Sequence, residues 1–459
     1  MKTAKPFRFL WVMVLATSLL LASCGPAATT AAPTAIPTEV APTEAAPTEA
    51  VEPTAAAEPV QLVYWSMWNE TEPQGDVIKQ AVTDFEAANP NVTVKIQWNG
   101  RGTRKLVVPA LESGEKIDLF DTDQAWIIGH TAKFLLPLDK YLDEPAVGET
   151  SRTVRDTLNQ NLVGLSISDG KLLNIPYQPY AVMFFYNKDH FDKAGITKVP
   201  ETWDEFLAAN AALKKAGFAP ITTDVDSYLD IILGYYVERA KGCDFFMKTL
   251  TDKTGELWRD PAYLQMAQDI KGLNDQGYIA KGTSGNLYPA GQQQVALGEV
   301  TMYLNGSWLP TEVKDTAGPD FKWGAFSFPS VTNGVNPITD VMMGSQGMAV
   351  VNTSAHPDQA FEFIKYLVSK DTQTAMTTHA NVPAIHVDVP WAGPIADAGV
   401  AVKGSTKAIG WACNLYDAGD VVSNVVLPQF QDLFANKITP EKYIDNMATK
   451  SAAFWAGQK

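Results

Sequence analysis

Cysteine is nearly missing from this 459-residue chain, with three copies in all. No Cys-x-x-Cys pair occurs, and the five histidines (130, 190, 356, 379 and 386) are scattered, with no His-x-x-x-His pair. Ligand sets of ordinary metal-site spacing are therefore lacking, and neither a metal nor a cofactor is expected. Basic residues are in deficit, with 36 Lys and Arg against 51 Asp and Glu, a formal charge of −15. An acidic surface is a poor platform for nucleic acid, whose affinity comes largely from Lys and Arg on phosphates. It suits a soluble protein with a neutral or cationic ligand. The chain has no Gly-x-Ser-x-Gly elbow and no zinc helix, so no nucleophile stands out. Carboxylates are plentiful. Glycoside hydrolysis needs two of them placed across a bond, so abundance alone identifies no enzyme.

The N-terminal apolar run is short. It follows Lys2, Lys5 and Arg8 and extends from Phe9 to Leu21. A comfortable membrane span needs about 20 apolar residues, so this run reads as the core of a secretory signal. Leu21-Ala22-Ser23-Cys24 then resembles the bacterial lipobox, in which small residues precede an acylated cysteine. Residues 1–23 are expected to be a signal peptide, and Cys24 the lipid-modified start of the mature protein. Each buried methylene adds about 0.8 kcal/mol of membrane affinity, so two or three acyl chains anchor where one does not. Residues 24–58 repeat Ala-Pro-Thr-Glu, at 41–44 and again at 46–49. Such a segment has too little apolar surface to offset its ordering entropy, and proline keeps it extended. It reads as a tether holding a domain off the outer face of the cytoplasmic membrane.

Cys243 and Cys413 remain. In an oxidising compartment they form either one disulfide or two separate buried thiols; the disulfide is the expectation adopted. The residues beyond the tether are too many for one core and suit two lobes. Strands are expected at 60–65, 92–98 and 117–120, with a helix between the first two whose apolar face holds Val77, Ile78, Ala81, Val82, Phe85 and Ala88. Strand–helix–strand units of this length point to parallel sheet. Pro176 and Pro179 argue against a central strand at 176–179 and suit a crossover between lobes. A second crossover is expected near 326–329. Thr202 and Glu205 have the spacing of a capping box ahead of a helix from Trp203.

Several segments carry a resemblance. They are Val63-Tyr64-Trp65-Ser66-Met67-Trp68-Asn69 with 85–94 behind it, Tyr186-Asn187-Lys188 through Ile196 with Pro200–Phe206, and Met302-Tyr303-Leu304-Asn305-Gly306-Ser307-Trp308 with Trp323-Gly324 and Phe328-Pro329. In this order, behind a lipobox and a Pro-Thr tether, the chain resembles the extracellular solute-binding proteins of ABC importers, of the maltose-, cellobiose- and multiple-sugar-binding type. The resemblance implies an α/β fold of two lobes with a ligand cleft between them. We expect residues 59–179 and 331–384 in the first lobe and 180–330 and 385–459 in the second. It implies a monomeric binding protein, not an enzyme, that captures a sugar or oligosaccharide and presents it to membrane permease subunits. The alternatives are a glycerol phosphodiester or a polyol as ligand, or a secreted polysaccharide-acting enzyme.

Ligands of open α/β sheets sit beyond the carboxyl ends of strands, so the loops there supply the candidate contacts. A sugar ring offers an apolar C–H face to an aromatic plate, and its hydroxyls need planar polar partners. Trp68, Asn69 and Glu70 follow the first strand; Asp123 and Gln124 follow the third, where the sugar-binding relatives place a carboxylate. Tyr180 stands at the first crossover, where maltose-binding relatives carry a carboxylate instead. Tyr228 opens a helix. Asn305 and Trp308 follow a later strand, and Trp308 matches a stacking tryptophan of the relatives. Gln346 lies among glycines, and Trp411 and Asp417 flank Cys413.

Overall fold

A computed structural model describes residues 58–458. The signal, the lipobox cysteine Cys24 and nearly all of the tether lie outside the described residues. Among the described residues, no helix is long and apolar enough to cross a membrane.

The first strand, β1 (Val60–Ser66), lies between two parallel partners, β2 (Val92–Trp98) and β3 (Leu119–Asp123). Helix Pro73–Ala88 makes the first crossover, and Val77, Ile78, Ala81 and Phe85 on its apolar face are buried. The sheet continues through β4 (Ile175–Asn187), β5 (Ala219–Thr222), β6 (Val300–Gly306), β7 (Trp323–Phe326), β8 (Asp340–Val350) and β9 (Lys407–Ile409). Its order is β2-β1-β3-β8-β4-β6-β5, with β9 on β8 and β7 on β4. The fold is a two-lobed α/β architecture in which β4 and β8 belong to both halves of one nine-stranded sheet.

Alternation along β4 shows how the layers divide. Met183 and Phe185 enter one core, shared with Leu62, Tyr64 and Phe85. Val182, Phe184 and Tyr186 enter a second core with Trp203, Tyr235 and Phe328. A third, smaller core around Trp65 and Phe120 fills the other face of the β1–β3 half. The capping box forms: the Thr202 hydroxyl accepts from the Glu205 amide, and the Glu205 carboxylate accepts from the Thr202 amide.

Two expectations need correcting. Pro176 and Pro179 lie inside the central strand β4, opposite Gly347 and Ser345. The register shifts between Gln346 and Gly347 and absorbs Tyr177. Among the described residues, β6 and β7 pair with β4 only from Val182 onward, so the proline stretch has a ladder on one side alone. A missing N–H is tolerated there as it is on an edge strand. The second crossing strand is β8, at 340–350; residues 323–326 are β7, which pairs with β4 inside the second half.

Cys243 and Cys413 are joined by a disulfide, with Cα atoms 5.0 Å apart. The bond closes a 170-residue separation. In the chain-entropy model a loop of that size stabilises by up to about 5 kcal/mol.

Asp121, fully buried in β3, accepts from the Met67 amide at 2.8 Å and from the Tyr177 hydroxyl. Burial pushes its carboxyl up to about 6, against the pull of those hydrogen bonds. A raised carboxyl pKa means that the native state holds a proton the unfolded state has released between about pH 4 and 6. Asp121 therefore stabilises fully below pH 4, and that contribution is lost as pH rises through 6. The change amounts to roughly 3 kcal/mol at most. Urea titrations from pH 4 to 7.5 should show this falling component in the wild type. It should be missing from Asp121→Asn, and an identical pH slope in the variant would refute the assignment.

Candidate functional site

The carboxyl ends of β3 and β6 approach each other across the two shared strands. Gln346 of β8 pairs with both Asp123, the last residue of β3, and Gln178 of β4. Two residues along, Gly344 pairs with Tyr180, and Val182 pairs with Gly306, the last residue of β6. Tyr180 and Gln346 thus stand on the bridging stretch between the strand ends, where ligands of α/β sheets bind.

Four of the sequence-predicted residues meet here as one aromatic group. The Trp308 and Trp411 ring centroids are 6.2 Å apart, with planes 17° from parallel. Tyr180 meets Trp308 edge-on at 5.3 Å and Trp411 at 6.4 Å. Tyr228 lies 6.4 Å from Trp308 and 6.2 Å from Trp411. All four are half-buried. A spacing of 6.2 Å leaves no room for a third ring between the indoles, so the pair presents a shared wall rather than a sandwich. Glycines make the space. A Cβ on Gly306 would stand 2.2 Å from the Trp308 ring, and one on Gly344 would stand 2.4 Å from the Tyr180 hydroxyl. Burial pushes the Tyr180 phenol far up, and the Asp123 carboxylate adds to the effect. The Tyr228 phenol is also raised, by burial and then by Glu312. Both remain neutral hydrogen-bonding groups at physiological pH.

Residues that the sequence reading missed hold the wall in place. Asp230, buried in the first turn of helix Leu229–Lys241, accepts from the Trp411 indole N–H at 2.7 Å and from the Tyr416 hydroxyl at 3.0 Å. Burial raises its carboxyl, and these two donors pull it back. Beyond Trp411 the backbone makes a left-handed turn, with φ of 44°, 61° and 57° at Ala412, Cys413 and Asn414. Non-glycine residues lose about 1–2 kcal/mol each in this region. The Cys413 disulfide fixes the turn, and close packing presses on it: a Cβ on Gly234 would lie 2.4 Å from the Ala412 Cα. Asp224 plays a similar part beneath Tyr228. It accepts from the Tyr303 hydroxyl at 2.8 Å and the Gly291 amide at 2.6 Å, and Tyr303 packs edge-on to Tyr228 at 5.9 Å.

Polar candidates divide. The buried Oε1 of Gln346, the Oε1 of Gln178 and the Nδ2 of Asn305 have no hydrogen-bond partner among the described residues. Such atoms ask for a partner. Asn305 also accepts from the Gly306 amide at 2.6 Å, closing the turn before Trp308. Asp123 caps helix Gln124–Thr131 through the Trp126 amide and lies 3.9 Å from Arg104.

Other candidates are placed elsewhere. Trp68 is 4 % exposed, donates its indole N–H to the Tyr177 hydroxyl at 2.6 Å, and has the Arg101 guanidinium 4.4 Å above its ring. It packs in the core and offers no open plate. Gln124 is buried and donates to the Leu162 carbonyl and the Ser166 hydroxyl, which corrects its expected ligand role. Asn69 and Glu70 are exposed; the Asn69 amide is tied to Glu72. Asp417 is exposed, one residue beyond Tyr416. Glu149, His386 and Asp388 bring ligand atoms within 4.8 Å of one another. Arg152 donates to both carboxylates at 2.6 Å, so the group is an ion-pair network around a guanidinium.

Gly306→Ala tests the wall directly. Its methyl would displace the Trp308 indole at an overpacking cost of about 1–3 kcal/mol. Near-ultraviolet circular dichroism should lose aromatic signal while the far-ultraviolet spectrum holds. An unchanged near-ultraviolet spectrum would show that the ring does not lie over β6.

The family profile described as bacterial extracellular solute-binding protein matches residues 69–374. A Brucella abortus chain named only as a binding protein is 27 % identical over 318 residues, covering 67 % of this chain and 71 % of that one. The multiple sugar-binding protein of Streptococcus mutans is 24 % identical over 330 residues, covering 70 % of this chain and 74 % of its own. Among solved structures, the apo form of RafE from Streptococcus pneumoniae superposes with a TM-score of 0.71 at 19 % identity, over 87 % of this chain and 99 % of that one. The match spans both halves of the sheet, and the chain belongs to the bacterial extracellular solute-binding protein family.

Proposed function

We propose that this protein captures a sugar or oligosaccharide between its lobes and delivers it to the permease subunits of an ABC importer. One observation carries the reading: Trp308, Trp411, Tyr180 and Tyr228 form a single half-buried aromatic wall at the facing strand ends. A pyranose stacks its C–H face on such a wall, gaining aromatic burial without a charge partner. Its hydroxyls meet Gln178 and Gln346, part-exposed residues with unpartnered Oε1 atoms, and Asp123 stands at the same level of the sheet, while Asn305 is fully buried and serves the turn before Trp308. A phosphodiester is less well served. Arg101 is held by Glu72 and the Met67 carbonyl, and Arg104 by Thr122 with Asp123 beside it. The guanidiniums on this side are engaged by protein acceptors.

The lobes are proposed to divide near 179/180, within β8 at 340–350 in place of the expected 330/331, and at 384/385, and to close on ligand by bending within the shared strands. The remaining parts of the proposal concern presentation. Lipid at Cys24 and the Pro/Thr-rich tether hold a monomeric domain on the outer face of the cytoplasmic membrane, within reach of the permease.

A panel of mono- and oligosaccharides screened by thermal shift tests the ligand class. Binding to the native state stabilises by RT ln(1 + [L]/Kd), about 2.7 kcal/mol at a hundredfold excess over Kd. With a ligand in hand, Trp308→Ala should weaken binding by about 2 kcal/mol or more, at least roughly 30-fold, with the apo fold intact. Normal binding by the variant, or outright unfolding, would refute the role given to Trp308. A radius of gyration from X-ray scattering that does not shrink at saturation would refute closure.

A further inference from the structure

The aromatic wall does not end at Tyr228. The Tyr288 ring meets Tyr228 at 6.2 Å, 64° from parallel, and opens to solvent. Tyr288 is 46 % exposed and its neighbour Leu287 is 61 % exposed, in a protein whose other tyrosines and tryptophans are mostly inside. An exposed tyrosine is unremarkable when it is loose, but this one is fastened. Its amide donates to Asp226 Oδ1 at 3.0 Å. The Val225 amide donates to the Asn286 carbonyl at 3.1 Å, lacing its loop to the one that carries Tyr228. Its hydroxyl reaches Glu312 Oε2 at 3.5 Å, and Gln292 holds the same carboxylate oxygen at 2.8 Å. The ring is therefore pre-positioned, which removes the side-chain ordering cost of binding. Two exposed carboxylates, Asp226 and Glu312, lie beside it as hydroxyl acceptors.

Exposure grades along this row. Tyr303, at its foot, is fully buried; Tyr228, Trp308 and Trp411 are half-buried; Tyr288 opens to solvent. A single sugar ring on the indole wall would not reach the far end of the row. A second or third ring of the same chain would, with its apolar face toward Tyr288 and its hydroxyls toward Asp226 and Glu312.

We infer that Tyr288 is a specificity-determining residue: an outer ring-binding position that makes the site select for chain length among carbohydrates and leaves the far end of the chain in solvent. The inference rests on the carbohydrate reading of the inner wall. It assigns Tyr288 no part in holding the first ring.

Calorimetry with ladders of one to five rings in the gluco-, xylo-, arabino-, galacto- and chito-oligosaccharide series tests it on the wild-type protein, Tyr288→Ala and Tyr288→Phe. In the series that binds, wild-type affinity should rise by roughly tenfold once the chain is long enough to reach Tyr288, the size of one aromatic contact. Tyr288→Ala should erase that step and keep the affinity for the shortest binding member within about twofold. Tyr288→Phe, which retains the ring, should keep most of the step. Affinity independent of chain length, or a Tyr288→Ala variant that retains the step or weakens all members equally, would overturn the inference and leave the inner wall standing. Failure of the wild-type protein to bind any member of any ladder would overturn the carbohydrate reading, and this inference with it.

Discussion

Two strands that run unbroken through both halves of the sheet are the constraint on which the rest depends. β4 and β8 pair with each other at the middle and with different neighbours at their ends. Because each half-sheet brings its parallel strands toward the middle, the carboxyl ends of β3 and β6 face one another over a short stretch of β4 and β8. Loops leaving those ends have nowhere to go but around the same space. The functional surface is thus a consequence of topology, and its chemistry is set by which side chains the loops carry. Lobe closure, as proposed above, bends this same stretch. Pro176, Pro179, Gly344 and Gly347 are gathered there, with a register shift at Tyr177, so the ladder is interrupted in the stretch proposed to bend.

Around that space, side chains are held by partners far away in sequence. Trp411 illustrates it. Its ring plane is set by a carboxylate 181 residues earlier, its following turn is left-handed at three non-glycine positions, and its loop is tied down by a disulfide 170 residues long. The local backbone is unfavourable, and long-range covalent and hydrogen-bonded constraints hold it. Strain of this kind fits the role proposed for Trp411, because a half-buried aromatic that is rigid in the apo state lowers the entropic cost of capture.

Much of the fold was legible because it depends on local pattern. The helix Pro73–Ala88 follows from the spacing of Val77, Ile78, Ala81 and Phe85, and the helix from Trp203 follows from the Thr202–Glu205 box. Strand β2 alternates in sequence and alternates in burial. The prolines of β4 misled for a physical reason: proline excludes a strand that is paired on both sides, and that segment is paired on one. Composition does not reveal which neighbours a strand lacks.

The site was legible in part, and the division again follows range. Trp68 and Trp308 look alike in sequence, each a tryptophan just beyond an apolar strand. They differ because Tyr177, 109 residues from Trp68, offers its hydroxyl to that indole, and Arg101 covers its face. Gly306 instead clears a space over β6 for the ring of Trp308. Asp230 gave no signal, since an acidic residue in a first helical turn is ordinarily read as helix stabilisation. Its role depends on burial, and burial of a carboxylate is favourable only when donors meet it. Trp411 and Tyr416 are those donors, so the aromatic loop satisfies the buried carboxyl group at the same time as that group positions the loop. The dependence is mutual: removing either partner leaves a buried polar group unpaired, and such a cost discourages independent change at the two positions. Recognition surfaces built this way keep their shape because their supports are inside the fold, while the rings they present remain at its edge.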